Sequence, residues 1–150
     1  MSTPQRIHAR TIVAVDRATA DVLRLETTKV LMFEHDAFED LLDYCPEAQR
    51  SLAMRYRNAI DVIAAVGWDP EKVPAETETF EVALTEDLIN LLHLRRYDLA
   101  MTNADRLDGL PTNKPIDPDI LAEVTVDRLA AEALDRLFTT YARATKAART

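Results

Sequence analysis

The sequence TEDLINLLHLRRYDLAMTNADRLD, residues 85–108, is typical of one long helix. Thr85 suits the N-cap of that helix. Apolar residues occupy nearly its whole circumference: Leu88, Ile89, Leu91, Leu92, Leu94, Tyr97, Leu99 and Met101. A helix that is apolar on every side is usually surrounded by other elements. We therefore expect 86–108 to be the central, most buried helix of the domain.

Two helices are expected earlier in the chain. The first lies near 36–45 and begins with a capping box, in which Asp36 is followed three residues later by Glu39. Pro46 suits the first position of the second helix, because a proline there loses no hydrogen bond. This second helix extends over 46–66, with apolar residues at three- and four-residue spacing.

A last helix is expected after the proline-rich connection GLPTNKPIDP, residues 109–118. Asp117 suits its cap and Pro118 its first position, and its apolar stripe extends to about Lys146. A short strand or an extended lead-in is predicted before the central helix by the alternation of Phe80, Val82 and Leu84.

The first 35 residues allow two interpretations. RTIVAV (10–15), ADVLRL (20–25) and KVLMF (29–33) have the composition of short strands. The same region also has apolar residues at helical spacing, so its periodicity alone leaves the choice open. We favour a strand only for 28–33. The predicted fold is a mainly α single domain over 1–150, a small bundle of four to five helices with a short β element near its beginning.

The composition excludes several classes of protein. The 150 residues are 47% hydrophobic and 29% charged, as in ordinary globular domains. The only glycines, Gly67 and Gly109, cannot form a glycine-rich phosphate loop, so P-loop and Rossmann nucleotide sites are excluded and no cofactor is expected. The single cysteine cannot form an intrachain disulfide, and the first residues resemble no secretory signal. We expect a cytoplasmic protein that does not associate with membranes.

The acidic residues are concentrated in the middle of the chain. The net charge of the whole is −8, and residues 34–110 hold seven basic and seventeen acidic side chains, a net charge of −10. This region would repel phosphate backbones, so nucleic acid is not an expected partner. An acidic surface suits solubility, and it also suits a basic protein partner, as in an inhibitor or antitoxin-like protein.

Part of the chain, residues 18–56, resembles the closing segment of a cyclic-nucleotide-binding domain of the catabolite-activator type. In that family a last barrel strand leads into a Phe, paired leucines and Pro-Glu, and then into a long helix that often pairs two subunits. The corresponding residues here are Val30, Leu31, Phe38, Leu41, Leu42, Pro46 and Glu47, with Leu52 and Tyr56 on the pairing helix. The resemblance implies a truncated relative that pairs through this helix.

The ligand-binding segment of that family is missing. It requires glycines that approach a cyclic phosphate, but no glycine precedes Gly67 here. The phosphate-binding arginine of the family aligns with Ala18, and the adjacent Arg17 would match only after a one-residue shift that turns it to the opposite face of a strand. We therefore expect no cyclic-nucleotide site.

The leading functional hypothesis is a non-catalytic, regulatory protein-interaction or oligomerisation module. Self-association, as in a homodimer, is expected through the 46–66 helix. The side chains expected to carry it are Leu52, Tyr56, Ile60 and Ile63.

The alternative is a small ligand-binding protein or enzyme. Its pocket would be formed by a polar cluster within the most apolar helix: His93, Arg95, Arg96 and Tyr97. The competing interpretation of the two arginines is a structural network of ion pairs with the abundant carboxylates.

No catalytic or metal site is predicted. His35 and Glu39 have metal-ligand spacing, but two ligands do not make a site. Cys45 is expected to be a buried apolar residue rather than a nucleophile. Trp68 is expected to cover the core, with an exposed partner anchor as the alternative.

Overall fold

The computed structural model describes residues 9–42, 57–66 and 79–149. Four helices and two strands occur in this part of the chain, which confirms a mainly helical fold with a short β element. In chain order they are β1 (Arg10–Asp16), α1 (Arg17–Leu42), α2 (57–66), β2 (Thr79–Thr85), α3 (Glu86–Leu107) and α4 (Pro118–Arg149).

The two strands form an antiparallel pair in which Arg10 lies opposite Thr85 and Asp16 opposite Thr79. Alternate side chains of a strand point to opposite faces. The face of the strand pair that packs on the core carries Val13, Val15, Val82 and Leu84, all of which are buried. Of the two alternatives predicted around Phe80, Val82 and Leu84, a short strand or an extended lead-in, the structure has the strand.

The chain changes from strand to helix at Asp16. Its carboxylate accepts a hydrogen bond from the backbone N–H of Thr19 at 2.8 Å, as an N-cap residue does for the free amides of a first helical turn. RTIVAV is thus a strand, whereas ADVLRL and KVLMF belong to α1. The expected strand over 28–33 is wrong, because every third or fourth side chain of α1 up to Val30 is buried against the core.

Helix α1 also includes residues expected to begin a separate helix near 36–45. Val30 and Leu31, which the cyclic-nucleotide resemblance assigns to a strand, lie within α1. The chain thus departs from the structure implied by the resemblance at these two residues.

Helix α3 begins and ends close to the predicted positions. The Thr85 hydroxyl accepts from the backbone N–H of Leu88 at 3.2 Å, which confirms the predicted cap. Asp108 follows the last helical residue, and Gly109 has a φ of +77°, a value that glycine adopts without strain. The connection 108–117 then leads to α4, which begins at Pro118 as predicted.

Helices α3 and α4 pack against each other in opposite directions, since Arg96 bonds Asp135 whereas the later Arg106 bonds the earlier Asp127. Helix α4 also packs on β1 and α1. The core lies among these elements, α2 and β2. Its largest fully buried apolar side chains are Leu23, Val62, Val66, Val82, Leu84, Leu88, Leu92, Leu134 and Leu137.

Residues 86–108 were expected to form the central, most buried helix because apolar residues occupy nearly its whole circumference, but α3 is buried on one side only. Leu88, Leu92 and Leu99 face the core, but Leu94 and Tyr97 are 63% and 61% exposed. Residues 92 and 99 lie on the same side as 88 at 3.6 residues per turn, whereas 94 and 97 fall on the other side. Only the tertiary structure shows that no element among the described residues covers this second apolar face.

Candidate functional site

The four side chains of the predicted pocket leave α3 in different directions. Arg95 points to α1, where its Nε donates to Glu26 Oε2 at 3.0 Å. Arg96 points to α4, where its Nε and an Nη donate to the two carboxylate oxygens of Asp135 at 3.1 and 3.2 Å. The ion-pair interpretation therefore describes both arginines.

The Glu26–Arg95 pair is the most buried charged group among the described residues. The Glu26 side chain is 1% exposed and the Arg95 side chain 18%. Glu26 Oε1 also accepts from Lys29 Nζ at 3.2 Å, so both carboxylate oxygens are hydrogen bonded. A buried carboxylate is costly without such partners. This arrangement joins α1 to α3.

The Arg96–Asp135 pair lies nearer the surface. Two parallel N–H···O bonds match the planar guanidinium to the carboxylate. The hydrogen bond to Asp135 and its negative charge raise the pKa of Arg96 above its ordinary value. This pair joins α3 to α4.

His93 and Tyr97 have neither of these roles. The His93 ring stacks on Phe138 of α4, with ring centroids 3.6 Å apart and an interplanar angle of 19°. Tyr97 lies on the exposed side of α3. The structure therefore brings His93 and Arg96 together with α4, Arg95 together with α1, and leaves Tyr97 at the surface.

A shallow surface depression of about 400 Å³ lies at the junction of β1 and α1, away from these residues. Its lining includes Asp16, Arg17 and Asp21. Hydrogen bonds from the Thr19 side chain and backbone, with the positive charge of Arg136, lower the pKa of Asp16. The carboxylate of Asp16 is thus already bonded to α1, in a structural role.

The exposed side of α3 carries a regular apolar surface that sequence reasoning missed. We define the outer face of α3 as Leu94, Tyr97, Met101 and Ala104, all of which are exposed. Their spacing of three, four and three residues is the a/d pattern of a coiled-coil helix. This spacing was visible in the sequence, but it could not be separated there from the core face of the same helix.

Two carboxylates border the outer face. Asp98 and Asp105 each follow a d position by one residue and are therefore at the e positions of the pattern. Both are exposed. The arginines of α3 bond to carboxylates of other elements: Arg95 to Glu26, Arg96 to Asp135, and Arg106 to Glu123 and Asp127. Arg95 Nη1 also donates to the Asp98 carboxylate of α3 itself at 3.5 Å. The outer face is therefore apolar with an acidic border.

The predicted self-association helix is described only over 57–66. Leu52 and Tyr56 lie outside the described residues. Ile60 is 57% exposed and Ile63 is half-buried. Ala59, Val62 and Val66 of the same helix are buried in the core. The apolar stripe that was expected to form one interaction surface is therefore partly buried in the core and partly exposed. Ile60 is its most exposed described residue.

Several other residues singled out in the sequence lie outside the part of the chain that the structure describes. The side chains of His35 and Glu39, and residues Cys45 and Trp68, lie outside the described residues. Within the described ranges, no helix has the length and apolar character required to cross a membrane.

No protein-family model matches the sequence, and no curated protein or solved structure is significantly similar to it. No match tests the resemblance of residues 18–56 to a cyclic-nucleotide-binding domain, which stays a hypothesis.

Proposed function

We propose that this protein is a non-catalytic protein-interaction module with a regulatory role. The observation that carries the proposal is the outer face of α3, where Leu94, Tyr97 and Met101 are 63%, 61% and 45% exposed on two successive turns. Single exposed apolar residues are common on protein surfaces, whereas a continuous apolar row more often marks a binding surface.

The charged residues of α3 support the proposal. Its arginines are used in ion pairs that fix the helix against α1 and α4. The outer face is therefore presented by a helix that is held on its opposite side. A rigid helix presenting an apolar row can bind a partner without first becoming ordered, which lowers the entropic cost of association.

Native mass spectrometry of the chain isolated from its own host tests this function. We expect a complex with a protein, and we expect the Leu94→Ser/Tyr97→Ser/Met101→Ser variant to lose it. Because these side chains are exposed, the variant should keep its fold, which circular dichroism checks. A folded variant that keeps the same complex contradicts the proposed surface, and a stoichiometric small molecule in place of a protein contradicts the proposed function.

Self-association through the 46–66 helix remains a second proposal, which is supported by the exposure of Ile60. Ile60→Glu should dissociate an oligomer in sedimentation equilibrium while leaving the fold intact. Val126→Glu on α4 is the matched control, since Val126 is 62% exposed and also β-branched. An Ile60→Glu protein that is folded and keeps the wild-type mass excludes this helix as the self-association surface.

A further inference from the structure

We propose that the outer face of α3 binds a basic amphipathic helix of another protein. This inference rests on the proposed function and names the chemistry of the partner. The outer face extends from residue 94 to residue 104, which corresponds to about 15 Å at 1.5 Å per residue. A partner helix of about three turns would cover it.

The a/d spacing determines the kind of partner. Leu94, Tyr97, Met101 and Ala104 form one row along the helix, so the complementary surface is a second row of apolar side chains at the same spacing. A helix with such a row on one side inserts its side chains between those of the first helix. A flat or irregular surface would leave much of this row in water.

The charges at the border of the outer face determine which charge the partner helix should carry. In helix pairs of this kind, residues at the e and g positions of one helix face those of the other. Asp98 and Asp105 occupy e positions, and both are exposed. Asp98 is 61% exposed although it also accepts from Arg95 of its own helix at 3.5 Å. Lysine or arginine at the facing positions would therefore be attracted, and glutamate or aspartate repelled.

A second copy of this chain fits the surface less well. In an antiparallel pair the e positions of the two helices meet, which would bring Asp98 of one copy near Asp105 of the other. In a parallel pair, Asp105 would face Ala100, which has no charge, and Asp98 would face His93, whose ring is stacked on Phe138. Neither arrangement supplies a free cation to both carboxylates.

Three synthetic peptides of about 21 residues, long enough to form a helix on binding, test the proposal. The basic peptide has Leu at a and d and Lys at e and g. The acidic peptide has Glu in place of Lys, and the polar peptide has Lys at e and g but Ser at a and d. Isothermal titration calorimetry with the full chain measures each affinity at low and at physiological salt.

We expect the basic peptide to bind about tenfold more tightly than the acidic peptide, and this preference to weaken as salt is raised. Asp98→Lys/Asp105→Lys should reverse the preference. Glu81→Lys/Glu132→Lys is the matched control, because it changes the net charge equally at exposed positions of β2 and α4. Leu94→Ser/Tyr97→Ser/Met101→Ser should lose the basic peptide while keeping the wild-type unfolding temperature.

The contrary outcomes separate the two proposals. Equal binding of the basic and acidic peptides, lost in the triple serine variant, overturns the basic partner and supports the interaction surface. If the polar peptide binds as tightly as the basic one, binding is due only to attraction between the lysines and the negatively charged protein. This result overturns the outer face as the docking surface. A dimer that dissociates in the triple serine variant, with no peptide bound, identifies a second copy as the occupant and overturns the basic partner. No peptide binding and no complex or oligomer that depends on the outer face overturn both proposals.

Discussion

Asn58 and Thr85 are joined by two hydrogen bonds although 27 positions separate them in the sequence. Asn58 Oδ1 accepts from the Thr85 backbone N–H at 3.2 Å and from the Thr85 hydroxyl at 3.0 Å. Asn58 Nδ2 also donates to the Ala83 carbonyl oxygen at 2.8 Å. The Thr85 hydroxyl in turn caps α3. One buried amide therefore connects α2, the end of β2 and the beginning of the helix that carries the outer face.

Replacing Asn58 should destabilise the protein strongly. Asn58 is 1% exposed, so Asn58→Ala would leave the Ala83 carbonyl and the Thr85 N–H without these partners in the interior. We expect a loss of about 3 kcal/mol in the free energy of unfolding, measured by urea denaturation. Asn90→Ala, at an exposed position of α3, is the control and should change stability by less than about 0.5 kcal/mol. Equal effects of the two substitutions would contradict the connecting role of Asn58.

The buried Glu26–Arg95 pair predicts a non-additive result. Arg95→Met leaves the Glu26 carboxylate buried with Lys29 as its remaining described cation, and should cost about 3 kcal/mol of stability. Glu26→Met/Arg95→Met removes both charges and should be more stable than Arg95→Met alone. Arg96→Met, at the more exposed pair with Asp135, should cost about 1 kcal/mol or less. Additive effects in a double-mutant cycle of Glu26 and Arg95 would show that the pair contributes no coupling.

The cap at Asp16 predicts a pH-dependent contribution to stability. The pKa of Asp16 is lowered in the folded protein, chiefly by hydrogen bonds from the Thr19 side chain and backbone. The charged form is therefore favoured by folding, so its contribution is present above the ordinary pKa of 3.8 and is lost as the pH falls through the lowered value. Asp16→Ala should cost about 1 kcal/mol at pH 7.

Urea denaturation of the wild type and Asp16→Ala from neutral to acidic pH measures this effect, with Glu132→Ala on the exposed side of α4 as the control. The difference between wild type and Asp16→Ala should decrease towards low pH. A difference that stays constant or grows as the pH falls would exclude the carboxylate as the cap.

The stability cost of replacing Gly109 should depend on whether the new residue adopts positive φ, and not on the size of its side chain. Its φ is +77°, and a Cβ placed there would meet no atom within 4 Å. Gly109→Ala should therefore cost about 1 kcal/mol through backbone strain. Gly109→Asn should cost less, because asparagine adopts positive φ more readily. Thermal unfolding of both variants measures the difference, and an alanine variant as stable as wild type would be inconsistent with this turn.

Local signals predicted where the two long C-terminal helices begin. Thr85 caps α3 and Pro118 begins α4, because an N-cap side chain and a first-turn proline act on amides a few residues away. Local signals failed at 28–33, where strand and helix propensities are similar and burial of α1 against the core decided for the helix. The prediction of a pocket grouped four residues that are close in sequence, but successive residues of a helix point in different directions.

Composition, caps and short-range periodicity are properties of neighbouring residues, so they were enough to predict a mainly helical, acidic chain with a short strand or an extended lead-in before α3. Which apolar side of α3 is buried and which is exposed follows from the packing of the other elements around this helix. Leu92 and Leu94 are equally apolar, yet one is fully buried and the other faces solvent. Burial depends on which elements pack around a helix, and contacts between distant residues such as Asn58 and Thr85 set that packing.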